Sequence, residues 1–393
     1  MDSRTEGRLI LASLPAIVII AYKREKSVER LLKSIESAHY CEEDIPLIIS
    51  IDRSDNSNVQ EIAERFQWRH GLKRIIVQSE RLGLREHVFR CCNLANYYGS
   101  VILLEDDLYV SPYFYGYAKE ASEFYEDDDK VAGVSLYSQY SNQVVALPFC
   151  PIDDGSDVYF LQIGSSLGQL FSGSKWASFM GWYSNHSDIR GMAGLPESVA
   201  AWPDSSWKKY FTAYLKDTGK YFVYPRISLT TSFSDEGGEN VVKSTALHQV
   251  PILFGMKEWR FRRLSESLIK YDPYCEIQAD YIKYNYPELS RYDFEVDLYG
   301  AKPLDKINRK FLITSKPTKR PIMGFGLGFK TIHANINPLV VGDYFVLAEK
   351  QDCYDTLISQ VRRKIAFFNF FYRETSVRLY FLLMLKRILD RWS

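Results

Sequence analysis

Four short apolar runs, each separated from the next by a stretch of helical periodicity, limit the folds open to this chain. Ala16-Ile-Val-Ile-Ile-Ala21, Pro46-Leu-Ile-Ile-Ser-Ile51, Arg74-Ile-Ile-Val-Gln78 and Ser100-Val-Ile-Leu-Leu104 are nearly continuous in aliphatic and β-branched residues. That is the pattern of strands covered on both faces, not of strands with one wet face. Between them, Val28, Leu31, Leu32 and Ile35 mark one helix, with Ser27 expected as its N-cap, and Val59, Ile62, Ala63 and Phe66 mark a second. A third is expected over residues 86–98. Repeated strand and helix imply parallel strands joined by right-handed crossovers. The expected class is therefore an α/β doubly wound sheet, whose ligands bind beyond the carboxyl ends of its strands.

The chain has 393 residues, room for one large domain or two ordinary ones, and its 49 basic residues balance 49 acidic ones. That balance argues against a nucleic-acid binder, which needs a basic excess facing phosphates. Six scattered cysteines form no CxxC and no zinc spacing, so reduced buried thiols of a cytoplasmic protein are expected. The apolar run Leu9–Tyr22 is 14 residues long and contains Pro15. That is short of the ~20 residues a bilayer span needs. Charges before it, and no small-residue cleavage pattern, speak against a signal peptide. A buried strand is the expectation there.

Polar chemistry follows each of the four runs: Tyr22-Lys-Arg24, Asp52-Arg-Ser-Asp55, Gly83-Leu-Arg85 and Glu105-Asp-Asp107. The triplet is the most informative. Three adjacent carboxylates at a strand end repel one another unless a divalent cation or a cationic side chain offsets them. Mn²⁺ and Mg²⁺ suit such a set when diphosphate oxygens complete the coordination. No GxGxxG or GxxxxGK[ST] loop occurs, so an ordinary dinucleotide or ATP site is excluded. This reading requires the three acids to face a cavity. Acids turned away from any cavity, or neutralised by guanidinium partners, would remove it.

The stretch Leu103-Leu-Glu-Asp-Asp-Leu-Tyr-Val-Ser-Pro-Tyr-Phe-Tyr-Gly-Tyr117 resembles the acidic DXD-type segment of glycosyltransferases with the GT-A fold. It is most similar to the N-acetylglucosaminyltransferase I group and related bacterial sugar transferases. The Tyr22–Arg24, Asp52 and Gly83–Arg85 segments fall in the same order, and the resemblance spans roughly residues 14–240. It implies that Asp107 contacts a metal, Mn²⁺ or Mg²⁺, that Asp106 faces the ribose, and that Glu105 lies on the donor side. It also implies that Asp52, Tyr22 and Arg24 surround the base and that Arg85 faces the diphosphate.

An inverting transfer needs a carboxylate base for the acceptor hydroxyl. The resemblance puts it in Ala201-Trp-Pro-Asp-Ser-Ser-Trp-Lys-Lys-Tyr210, where relatives carry an acid beside the Trp and this chain has Ser206 and Lys208. Asp204 is the first candidate, with N-cap of a helix starting at Ser205 as its ordinary alternative. Asp235 and Glu236 are the second. Relatives often end the latter loop with a His, and residues 234–247 contain none. Gly164–Gly173 resembles a donor-sugar turn. Gly324–Gly328, next to no identifiable strand, is not read as a phosphate loop.

Residues 361–393 hold eight basic residues and two acidic ones among many Phe and Leu. Such a helical tail suits either the surface of an anionic bilayer or packing on the domain. The expected organisation is a GT-A core over 1–245, an acceptor-side region over 246–345 and a basic, aromatic helical tail over 346–393. The expected activity is metal-dependent, inverting sugar transfer from a nucleotide donor, foremost a UDP-sugar, to a glycan or lipid-linked acceptor of a bacterial surface polysaccharide. The expected location is the cytoplasm or the inner membrane face. A sugar nucleotidyltransferase and a non-catalytic nucleotide or glycan binder are the alternatives.

Overall fold

The structure is a computed structural model that describes residues 14–237 and 248–372. The chain forms two units: one of residues up to Gln139 with Asp153–Cys275, the other of Tyr140–Ile152 with the residues from Glu276 on. Residues 248–275, read from sequence with the acceptor-side region, belong to the first unit.

In the first unit the four apolar runs become β1 (Ala16–Ala21), β2 (Leu47–Ile51), β3 (Lys73–Val77) and β4 (Ser100–Glu105). They lie in the order β4-β1-β2-β3, all parallel. β1 and β2 are buried throughout, as their uninterrupted aliphatic sequence requires, whereas β3 is the partly exposed edge. The crossovers are α1 (Glu25–Glu36), α2 (Asn58–Arg65), and α3 (Leu84–Cys92) with α4 (Ala95–Tyr98). The single helix expected over 86–98 is thus two. Ser27 does not cap α1, which starts two residues earlier; it sits inside the helix and turns its hydroxyl to Asp235.

The parallel pattern stops at β4. Beyond it come β5 (Leu108–Val110), α5 (Phe114–Tyr125) and β6 (Val131–Ser135), and later β9 (Val158–Leu161), β10 (Gln169–Ser172), β11 (Tyr221–Pro225), β12 (Thr230–Ser232) and β13 (Lys270–Tyr271). The main sheet is completed as β13-β9-β11-β6-β10-β4, with β10 antiparallel to both β4 and β6. The sheet is therefore mixed, not uniformly parallel. β10 also takes the second half of the Gly164–Gly173 segment, which is strand and not turn. Helices α6 (Gly173–Tyr183), α7 (Glu197–Ala200) and α8 (Trp207–Thr218) follow β10. Ile17, Ile19, Ile49, Ile102, Leu104, Tyr117 and Phe160 belong to one continuous core. Each such side chain contributes about 1.5–3 kcal/mol through apolar burial.

The second unit contains a short hairpin, β7 (Ser141–Asn142) and β8 (Leu147–Pro148), then α9 (Ala279–Asn285) and a four-stranded sheet. The sheet order is β14 (Phe294–Asp297), β15 (Phe311–Thr314), β17 (Phe345–Glu349), β16 (Pro321–Phe325), so Gly324 lies on a strand that sequence reading did not find. A buried ion pair holds this unit: Lys316 Nζ donates to Asp297 Oδ2 at 2.7 Å and to the carbonyl of Gly300 at 2.6 Å. Helix α10 (Leu357–Tyr372) is fixed to the same spot by Arg363, which donates to the Gly300 carbonyl at 3.1 Å and pairs with Asp355 at 3.3 Å. Residues 373–393 of the expected tail lie outside the described residues. Among the described residues no helix is long and apolar enough to cross a membrane.

Candidate active site

The carboxyl ends of β1, β2 and β4 open onto one cleft in the first unit, enclosing about 920 Å³ of empty space including its open mouth. Tyr22 and Arg24 line it from the end of β1, Asp52 from the end of β2, and Glu105, Asp106 and Asp107 from the end of β4. The register explains the convergence. Ile20 pairs with Glu105 and Ala21 with Ile51, so all three strands end at one level and their next residues share one rim.

Asp106 and Asp107 are almost fully buried. Arg24 bridges them, its guanidinium on Asp106 and at 3.1 Å from Asp107 Oδ2. The acids therefore face a cavity, as expected, but Arg24 pairs with two of the three, the arrangement that counts against a metal at this cluster. Burial pushes Asp106 up to about 6, against the pull of Arg24. Burial, with the neighbouring Asp107, pushes Glu105 up to about 8. Burial works against the charge of Arg24, yet Asp106 and Asp107 outweigh it and hold the guanidinium above its ordinary pKa. Asp107 is steadied from the other side by β12, whose Ser232 hydroxyl lies 3.3 Å from Oδ2, while its carbonyl accepts the Phe233 N–H at 3.0 Å.

Asp52 is buried and its two oxygens accept four protein donors. Oδ1 takes the N–H groups of Arg53 and Leu82, each at 2.9 Å; Oδ2 takes the Gly83 N–H at 3.1 Å and the Arg81 guanidinium. A carboxylate has about four acceptor positions, so this one is filled from within the chain. Gly83 can present its N–H here because its φ of +75° suits glycine. Arg81 also stacks its guanidinium 3.6 Å above the Tyr22 ring. Beneath lies His87, on α3, hydrogen-bonded to Ser50 at 2.7 Å and pushed down to about 4 by burial.

Arg85 and Asp204 are not among the residues that line the cleft. They meet each other: Arg85 Nη1 donates to the Asp204 carbonyl at 2.8 Å. The Asp204 side chain is 85% exposed and engages Lys209. That hydrogen bond holds its carboxyl below the usual range. Asp204 is not an N-cap either; α8 starts at Trp207 behind Ser206. Asp235, the second candidate base, is bound by Ser27 at 2.6 Å and by Arg30. Those contacts keep it low against the opposing effect of burial.

Three titratable residues of the cleft were missed in sequence. Arg81 stands two positions before the Gly83 segment that was singled out. His87 sits on the apolar face of α3, where a histidine reads as core. His248 lies one position beyond residues 234–247, the loop that ends in a His in relatives. It lines the same cleft, its carbonyl accepting the Ser232 N–H at 3.3 Å, and burial lowers its pKa so that the neutral imidazole is favoured. Lys208 stands near these groups. Its pKa is pushed down to about 8 by burial, opposed by Glu105. It lies 4.6 Å from the Trp202 ring, and a side chain at Gly164 would come 3.3 Å from its stem.

Among the described residues no group of three or more His, Cys, Asp and Glu is arranged to hold a metal. The cleft is lined by four carboxylates, Asp52, Glu105, Asp106 and Asp107, and two imidazoles, His87 and His248; Arg81 holds Asp52, and Arg24 holds Asp106 and Asp107. Asp107 is the donor type that suits a Mn²⁺ or Mg²⁺ ion whose other positions are filled by substrate oxygens and water, but Arg24 already pairs with it at 3.1 Å.

Residues 16–146 match the model of the family described as glycosyl transferase family 2. No curated protein matches the chain. Among solved structures, GalNAc-T7 with UDP, GalNAc and Mn²⁺ aligns at 12% identity and TM-score 0.37, covering 55% of this chain and 43% of that one. S. aureus TarS aligns at 12% and 0.34, covering 56% and 60%. The Pyrobaculum calidifontis mannosyltransferase PcManGT in complex with GDP-Man and Mn²⁺ aligns at 14% and 0.34, covering 55% of each. The chain thus spans less than two thirds of each of these proteins.

Proposed function

We propose that the chain is a glycosyltransferase with a GT-A fold in its first unit, and that it transfers a sugar from a nucleoside-diphosphate donor, foremost a UDP-sugar, with inversion at the anomeric carbon. The carrying observation is the convergence of Tyr22, Arg24, Asp52, Asp106, Asp107 and His248 on one cleft. Kinship with the N-acetylglucosaminyltransferase I group within this fold is part of the proposal and rests on the context of the acid triplet.

Tyr22, with Arg81 stacked on it, offers the base a flat aromatic and cationic wall. Asp52 shapes that wall by holding Arg81, Leu82 and Gly83, and a base that bonds to it must displace Arg81. Asp106 faces the ribose, and Glu105 lies toward the sugar. Asp107 and His248 would hold the divalent ion, which when bound offsets the negative charge gathering on the departing diphosphate. Arg24, already on Asp106 and Asp107, shares that work, and Arg85 supports the diphosphate side through its bond to Asp204. We assign the acceptor's base to Asp204, which lies outside the cleft lining with its carboxyl open to solvent and engaged by Lys209, with Asp235 and Glu236 next. The acceptor is a glycan or a lipid-linked glycan of a bacterial surface polysaccharide, met at the inner membrane face through peripheral contact by residues 361–393.

The test is incubation with Mn²⁺ and a panel of nucleotide sugars. Slow release of the nucleoside diphosphate, abolished by a chelator, supports transfer. Exchange of pyrophosphate into the donor would point to a nucleotidyltransferase instead, and binding without turnover in the presence of acceptor to a binder.

A further inference from the structure

Helix α10 presents a continuous apolar stripe to solvent. Leu357, Ile358, Val361, Ile365 and Tyr372 are 76%, 66%, 48%, 54% and 41% exposed. At about 100° per residue these five fall within one arc about 100° wide. The opposite side of the helix is the one that packs. Arg363 is tied to Gly300 and Asp355, and Phe367 is fully buried, its ring centroid 5.4 Å from that of Tyr344. The stripe is therefore not a core face left over; the core face of this helix is already in use within its own unit. Two exposed cations, Arg362 and Lys364, flank the stripe, one on each edge.

We propose that α10 lies in the plane of an anionic bilayer, with this stripe inserted at the level of the acyl boundary and Arg362 and Lys364 at the phosphate level. An apolar arc edged by cations is the arrangement that buries aliphatic surface and keeps the charged heads at the headgroups. The basic excess of residues 361–393 is complementary to acidic lipids and to no neutral partner. The inference deepens the proposed function, since it supplies the surface by which a lipid-linked acceptor is met, but it assigns the anchoring to α10 itself, beginning at Leu357, and to apolar insertion as well as charge.

The experiment uses the full chain and the full chain carrying Leu357→Ser, Val361→Ser and Ile365→Ser. These three positions are exposed, and the substitutions leave every charge in place. Each protein is floated with vesicles of phosphatidylcholine alone and with vesicles containing 30% phosphatidylglycerol, a fraction of about the order that gives a biological surface potential. The wild-type chain is expected to float with the anionic vesicles only, and the triple variant to bind them at least about tenfold more weakly. Equal binding by the two proteins would overturn the insertion, leaving charge alone. No binding by the wild type would overturn the proposal entirely. A wild-type dimer in vesicle-free solution that the variant abolishes would assign the stripe to a second copy, also against the proposal. Release of nucleoside diphosphate from a soluble donor is measured alongside. It is expected unchanged in the variant, so a failed membrane result and a failed transferase reading are told apart.

Discussion

The guanidinium of Arg24 lies 3.1 Å from Asp107 Oδ2 while also holding Asp106, so one cation partly balances the acid cluster. Replacing it leaves two buried carboxylates without that balance. Arg24→Met is expected to lower stability in metal-free buffer by about 1–3 kcal/mol, a range below that for fully buried pairs because the site is partly solvated. Mn²⁺ should restore more stability to the variant than to the wild type. Urea melts with and without Mn²⁺ measure both. Equal Mn²⁺ effects in the two proteins would separate the ion from these carboxylates.

Asp107→Ala should abolish Mn²⁺-dependent donor binding, and His248→Ala should weaken it by about 10–100-fold, a loss of the size that altered metal sites show. Calorimetric titration of a nucleoside diphosphate in Mn²⁺ and in chelator reads this directly. Retained Mn²⁺-dependent affinity in Asp107→Ala would rule out its role as a ligand.

Asp204→Asn should leave donor affinity intact and reduce turnover by about 10²–10⁴-fold, the usual contribution of a general base. Asp235→Asn is the companion variant. An unchanged rate in the first and a large loss in the second would move the base to Asp235.

His87 gives stability a defined pH dependence. In the folded chain burial pushes its pKa down to about 4, from an ordinary 6.5. Between those values the unfolded chain binds the extra proton, so stability falls as pH drops from 6.5 toward 4. The part attributable to His87 reaches about 3 kcal/mol at the acid end. His87→Gln should flatten that limb. Urea midpoints at pH 7 and pH 5 measure it, and an unaltered difference between the two would mean that other groups cause the acid loss.

The first four strands are legible in the sequence because each is buried on both faces and so has no polar residues to interrupt its run. The strands after β4 are not, because several are only two to four residues long and their pairing partners are distant in sequence. β10 joins β4 and β6 antiparallel, a relationship no local period encodes. The split at Asn93 and Leu94 is hidden because both residues keep helical backbone angles. The cleft was readable where it depends on strand ends: Tyr22, Arg24, Asp52 and the triplet all reach it. Arg85 and Asp204, placed by resemblance, instead meet each other outside its lining. His248 reaches it because β12 pairs with β5, bringing Ser232 opposite Leu108 and the following chain back to the acids. That closure is a property of the sheet.

Tyr22 and His248 line one cavity although they come from opposite ends of the first unit. No fragment that has formed only β1 through β4 contains the complete pocket, so ligand capture reports whether the whole unit has assembled. By mass action a tightly held nucleotide would in turn raise the midpoint of unfolding for every element of that unit, including helices it never touches.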